Sequence, residues 1–208
     1  MTLRVTTVSG DYVQGSFSLL EHAGERARAT LYFSRFVGTE SFDGNLELAR
    51  WYLRAALSEF RSILDLIGTD LKSLALSAQW KGSPQRLQVE EDPLISVLRK
   101  IRDFAIHSQV IVGEQKTFRV VSSGGRDVVS DLPAVVIEPL NRSALKARRG
   151  KDELSQFTDE HLAVFNQHAS NWPADLLVHI AVYRMSEYLA AFLSANRQIH
   201  VSHQDPVP

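Results

Sequence analysis

Leu46, Ala49, Leu53, Ala56, Leu57, Phe60, Ile63, Leu64 and Ile67 recur every three or four residues, and this stripe constrains the fold more than any other part of the chain. An α-helix carries positions i, i+3, i+4 and i+7 onto one side, so the stripe predicts a helix with a broad apolar face from about 43 to 67. Asp43 or Asn45 can cap its start, and Gly68 is expected to stop it. A face of that width must be covered by other elements, and helices are the natural partners.

The remaining chain offers them. Asp92-Pro93 opens a second helix, with Asp92 as cap and Pro93 at the first helical position, where no backbone donor is needed. Leu94, Val97, Leu98, Ile101 and Ala105 form its apolar face, with Phe104 at the margin. Thr158 can cap a third helix through Leu162 and Phe165. Asn171-Trp172-Pro173 opens a fourth, which carries Leu176, Leu177, Ile180, Tyr183, Tyr188, Leu189, Phe192 and Leu193 up to about Arg197. A short helix is expected within 70–81, before the break at Gly82-Ser83-Pro84. Phe17 to Val37 has near-helical spacing that Gly24 weakens, and Leu3 to Val13 alternates as a strand or an arm would. Residues 1–40 therefore read as an N-terminal extension, and 200–208 as a frayed tail.

Between the second and third helices the composition changes. Val110-Ile111-Val112, Phe118-Arg119-Val120-Val121 and Ala134-Val135-Val136-Ile137 are β-branched and aromatic-rich, and Gly113 and Gly124-Gly125 punctuate them. This pattern fits a small hairpin or a three-stranded insertion at 109–139, with Pro133 and Pro139 marking edges. The expected fold is mainly all-α: an antiparallel four-helix bundle over 41–199 with that β insertion.

Composition narrows the chemistry. The net charge is -1, so nucleic-acid contact would have to rest on a local patch. The absence of cysteine excludes disulfides, thiolate catalysis and sulfur-ligated zinc, and it leads to the expectation of a cytoplasmic protein. The first residues lack a signal-peptide core, and no apolar run of about 18 residues predicts a membrane span. His161 and His168 are seven apart, too wide for an i, i+4 ligand pair, and His200 and His203 sit in the tail, so no metal and no cofactor is expected. His179 reads as a packed residue, Gly124-Gly125 as a turn with no phosphate-loop lysine, and Ser108 as lacking the turn that activates a serine nucleophile.

One segment of the second helix can carry chemistry. Arg102-Asp103-Phe104-Ala105-Ile106-His107 places a guanidinium, a carboxylate and an imidazole within about one and a half turns. Arg99 and Asp103 share a face, as do Asp103 and His107, so Asp103 can orient His107 or pair with Arg99. The imidazole can act as general acid or base near neutral pH, and the guanidinium can hold phosphate oxygens as charge builds on them. The same three groups also make a surface ion pair and a lone histidine. Arg102 and His107 lie five apart, roughly 140° around a regular helix, so they meet only if the helix bends or a second subunit supplies the far wall of a cleft.

This hexapeptide resembles the R-x(4–6)-H signature of the HEPN superfamily, where a polar residue commonly follows the arginine. The resemblance implies a helical bundle that dimerises, with the signature near the end of an inner helix and its two copies facing across the cleft. It further implies a metal-independent endoribonuclease of a toxin–antitoxin or defence system, with RNA, a cognate antitoxin or another protein as partner and no membrane. Arg102 would stabilise the scissile phosphate, His107 would act as acid or base, and Asp103 would orient it. Members that have lost activity serve as interaction or ligand-sensing modules, which is the alternative implied here. The β insertion and the N-terminal extension depart from a minimal domain of this kind.

Other positions extend the reading. Arg99 and Lys100 would enlarge a positive cleft beside the motif. Arg142, Lys146, Arg148, Arg149 and Lys151 form a basic connection that suits either an RNA backbone or a solvated loop, and Arg148 and Arg149 are its candidate substrate contacts. Trp51, Tyr52, Trp80 and Trp172 are read as anchors of core packing or of a subunit interface in preference to base-stacking groups.

Overall fold

The computed structural model describes residues 15–105, 111–121, 127–141 and 157–201. These residues are mostly helical, with one small antiparallel sheet. In chain order the elements are α1 (Glu21–Phe42), α2 (Leu46–Ser73), α3 (Ser77–Lys81), α4 (Pro84–Glu91), α5 (Pro93–Ala105), β1 (Ile111–Val121), β2 (Asp127–Ile137), α6 (Asp159–Asn171) and α7 (Ala174–Val201). The segment Leu3–Val13, the Gly124-Gly125 turn, the basic connection at 142–151 and the tail beyond 201 lie outside the described residues.

The α2 stripe is buried along its whole length, from Ala49 to Leu71. Gly68 does not stop the helix as the sequence reading expects. An internal glycine costs about 1 kcal/mol, and the burial of Leu71 one turn further on outweighs it. The expected helix within 70–81 divides accordingly. Its first residues finish α2, Ala75 turns the chain at φ 54°, and α3 follows. Trp80 on α3 is 2% exposed and meets Phe192 of α7 edge to face, with ring centres 5.0 Å apart.

α1 shares this core. Its buried face is made of small residues, Ala23, Ala27, Thr30, Ser34, Val37 and Ser41, so its backbone lies close to its neighbours. Ser34 Oγ donates to the Asp175 carbonyl at the start of α7, at 2.8 Å. Gly24 explains itself here: a Cβ at that position would come within 2.8 Å of the Phe17 carbonyl oxygen.

β1 and β2 form a two-stranded hairpin running in register from Ile111 opposite Ile137 to Val121 opposite Asp127. Pro133 sits inside β2, opposite Gln115, and each strand of a two-stranded sheet keeps a free edge where a missing donor is tolerated. The base of the hairpin is buried through Ile111 and Ala134 to Ile137, and Gly113 presses on Leu46. By length and apolarity α7 could cross a membrane. Leu177, Val178, Ala181, Val182, Met185 and Leu189 of α7 are instead buried in the shared core.

Two of the helical glycines, Gly24 and Gly68, give opposite expectations. Gly24→Ala forces a methyl against backbone and should lower unfolding stability by about 1–3 kcal/mol. Gly68→Ala, with open space at its Cβ, should raise it by about 0.5–1 kcal/mol. Urea denaturation of the two variants reads both; a Gly24→Ala protein as stable as the wild type would show that α1 does not seat on Phe17.

Candidate functional site

The motif helix α5 is fixed at its start by a buried polar cluster. Asp92 is only 7% exposed. Its Oδ1 accepts from the amides of Leu94 (2.9 Å) and Ile95 (3.1 Å), which is the cap anticipated from the sequence. Its Oδ2 accepts from Arg184 Nη1 at 3.1 Å and from the Tyr188 hydroxyl at 3.3 Å, both on α7. Arg184 Nη2 then lies 3.4 Å from His168 Nε2 on α6. Burial and the neighbouring guanidinium push the His168 pKa down while Asp92 acts the other way, so a neutral imidazole that accepts from Arg184 fits the geometry. Burial and Asp92 raise the Tyr188 pKa, which keeps the phenol protonated as a donor.

His161, weighed from the sequence as a metal ligand, is a strap instead. Its Nδ1 lies 2.8 Å from Thr158 Oγ1, and its Nε2 lies 3.1 Å from the Glu91 carbonyl oxygen. It thereby ties the start of α6 to the end of α4. Among the described residues no group of three or more potential metal ligands gathers.

The far end of α5 carries two of the three catalytic candidates, Arg102 and Asp103. Leu94, Ile95, Val97, Leu98 and Ile101 are fully buried and set the rotation of the helix. Arg102 and Asp103 fall in its last turn, but their side chains lie outside the described residues. His107, Arg148 and Arg149 also lie outside them. Of the expected contacts, Arg99 and Lys100 are described. Lys100 is exposed. Arg99 is half-buried, with Nη2 3.6 Å from Asp65 Oδ1 of α2 and with its Nε buried and lacking a hydrogen-bond partner. Desolvation lowers the Arg99 pKa, and nearby Arg61 adds to that effect against Asp65 and Glu90. Beside a second arginine, the part of the Arg99 guanidinium that reaches solvent is suited to receive an anion.

Two further acidic groups are shielded from water, Asp70 buried and Asp175 half-buried. Asp70 on α2 caps α1 by accepting from the Ala23 amide at 2.9 Å and pairs with His22 Nδ1 at 2.6 Å, which raises the His22 pKa. Asp175 at the start of α7 lies against α1, where a Cβ on Gly38 would approach its Oδ2 to 3.0 Å. Burial raises its pKa to about 6 even though it accepts from its own amide and that of Leu176. His179, one turn on, is half-buried as expected, and desolvation lowers its pKa. The sequence reading passed over Arg184, Asp70 and Asp175. The one signal for the first was an Arg and a Tyr four residues apart in an otherwise apolar helix. Comparison with family models, with curated proteins and with solved structures yields no match to this chain.

Two outcomes follow from these charges. Arg184→Met leaves the Asp92 carboxylate buried without its counter-ion and should cost about 3–5 kcal/mol in chemical denaturation. A loss below about 1 kcal/mol would show that the two capping amides suffice. Asp175 has a folded pKa above its unfolded value, so its contribution is most favourable below pH 3.8 and is lost as pH rises through about 6. Asp175→Asn should therefore be near neutral at pH 4 and stabilising at pH 8 by an amount on the order of 2 kcal/mol, read as a pH-dependent gap between the two melting curves.

Proposed function

We propose that this chain is a HEPN-like domain, a four-helix bundle elaborated by a β hairpin, that cleaves RNA without a metal. Arg102, His107 and Asp103 carry the chemistry, and Arg99 and Lys100 assist in holding the substrate. The observation that carries the reading is the setting of α5. The Asp92 cluster locks its start, its apolar face is buried, and Arg102 and Asp103 follow the half-buried Arg99 in its last turns.

The chemistry needs only groups present in the chain. A general base removes the proton of a 2′-hydroxyl, and that oxygen attacks the adjacent phosphorus. The bond to the 5′-oxygen breaks as a general acid protonates it, leaving a 2′,3′-cyclic phosphate and a free 5′-hydroxyl. Imidazole serves either proton transfer, and two facing His107 side chains in a homodimer serve both. Arg102 neutralises the charge that gathers on the non-bridging oxygens. A cytoplasmic setting with a cognate antitoxin or other protein partner belongs to the same proposal.

A specific observation favours a second reading, an inactive HEPN-like interaction module. Tyr32, Phe42, Leu48 and Trp51 of the α1–α2 hairpin expose large apolar surfaces, as a partner-binding face would.

Single-turnover cleavage of end-labelled RNA, with chelator present, separates the two. The wild type should cleave in chelator and leave cyclic phosphate ends. His107→Ala should lower the rate by about 10²–10⁴ with an unchanged melting temperature. Full activity in that variant, or complete loss of wild-type activity in chelator, would remove the nuclease reading.

A further inference from the structure

The inference deepens the RNA-acting reading and rests on it for the choice of polymer. We propose that the outer face of α2 is a binding track for single-stranded RNA, with Trp51 as the base-stacking platform and Arg50, Arg54 and Arg61 as phosphate contacts.

The first observation is the state of Trp51. It is 60% exposed, whereas Trp80 is buried, and Arg54 lies over its ring with the guanidinium carbon 5.6 Å from the centroid. A solvent-open indole with a guanidinium over one face is a pairing that suits single-stranded nucleic acid: a base stacks on the indole while the neighbouring charge meets a phosphate.

The second is the line of cations. Arg50, Arg54 and Arg61 are spaced by four and by seven, which puts them on one stripe of α2. Arg61 is close enough to Arg99 to perturb it, so the stripe continues onto α5. Among the described residues neither Arg50 nor Arg54 pairs with a carboxylate. Glu47 and Asp65 share this side of α2, and Arg99 already engages Asp65.

The third is contact. The chain meets α2 at Asp65 through Arg99 and again at Leu46 through Gly113. The α2 track and the helix that carries Arg102 are therefore in contact at Asp65, four residues along α2 from Arg61.

A second copy of this chain is a poorer occupant. A two-fold contact over this stripe would gather the arginines of both copies with only Glu47 and Asp65 to offset them, and Arg99 already engages Asp65, an excess of like charge that a polyanion relieves.

The test uses the full-length protein and a fluorescein-labelled single-stranded RNA of about twelve nucleotides whose sugars are 2′-O-methylated. Such a probe binds but offers no nucleophile, so the readout, fluorescence anisotropy, is independent of cleavage. Trp51→Ala should weaken binding by roughly ten-fold or more, and Trp51→Phe should restore most of it. Arg54→Ala should weaken binding comparably and lower the slope of log affinity against log salt by about 0.7. Leu87→Ala, which trims an exposed apolar residue on α4, should change nothing. Wild-type affinity in both Trp51→Ala and Arg54→Ala, no binding by the wild type, or equal competition by the matching duplex would each overturn the inference. A change of assembly mass in Trp51→Ala by sedimentation velocity would overturn it too, by making this face a subunit contact. Probe binding through Trp51 by a protein that leaves unmodified RNA intact would keep the track and end the nuclease reading.

Discussion

The fold turns on one buried carboxylate. Asp92 sits where α4, α5, α6 and α7 converge, and stripping water from a carboxylate costs several kcal/mol. Four donors repay that cost: two amides of the α5 first turn, the Arg184 guanidinium and the Tyr188 hydroxyl. The partial positive charge at the helix start adds to them. Because the donors come from two helices, the charge fixes where α5 begins and which face it turns to α7. His168 extends the clasp to α6 through Arg184 and stays neutral so that it can accept. The end of α5 that carries Arg102 and Asp103 is thus aimed by contacts about 15 Å away.

The helices that were readable in the sequence are those whose buried face is made of large side chains. Leu53, Phe60, Ile63 and Ile67 announce α2, and Asp92-Pro93 followed by Leu94, Val97 and Leu98 announces α5 with its cap. α1 gave a weaker signal for a physical reason. Its core face is Ala23, Ala27, Thr30, Ser34 and Ser41, residues chosen for close approach, which carry little apolar contrast. Its large residues, Tyr32, Phe33 and Phe36, lie instead on the outer side, where Phe36 stacks on Tyr52 at 5.1 Å. α2 runs past Gly68 because local propensity there yields to burial at Leu71.

The site divides in the same way. The hexapeptide at 102–107 was visible because its residues are adjacent in sequence. The Asp92, Arg184 and His168 cluster joins positions separated by 92 and 16 residues, and no local pattern reports such a contact. Asp175 was hidden for a related reason. At a helix start an aspartate reads as an ordinary dipole partner, and only the packing of α1 against it, with Gly38 leaving room, turns it into a group that burial holds protonated up to about pH 6.

The two ends of α5 also differ in how they can treat an anion. At the start the backbone itself offers donors, and Asp92 consumes the amides of Leu94 and Ile95. At the far end the free backbone groups of a helix are carbonyls, and its dipole repels negative charge. A phosphate brought to that end has no amide cradle of the kind that helix starts provide. Side chains must hold it, and the sequence supplies Arg99, Lys100 and Arg102 within one turn. The dipole favours a cation in that last turn, and Arg61 of α2 sets a further like charge beside Arg99. If RNA is the ligand, as proposed, its affinity would come from guanidinium groups and from stacking on Trp51, with little from the peptide backbone, and would fall steeply with salt.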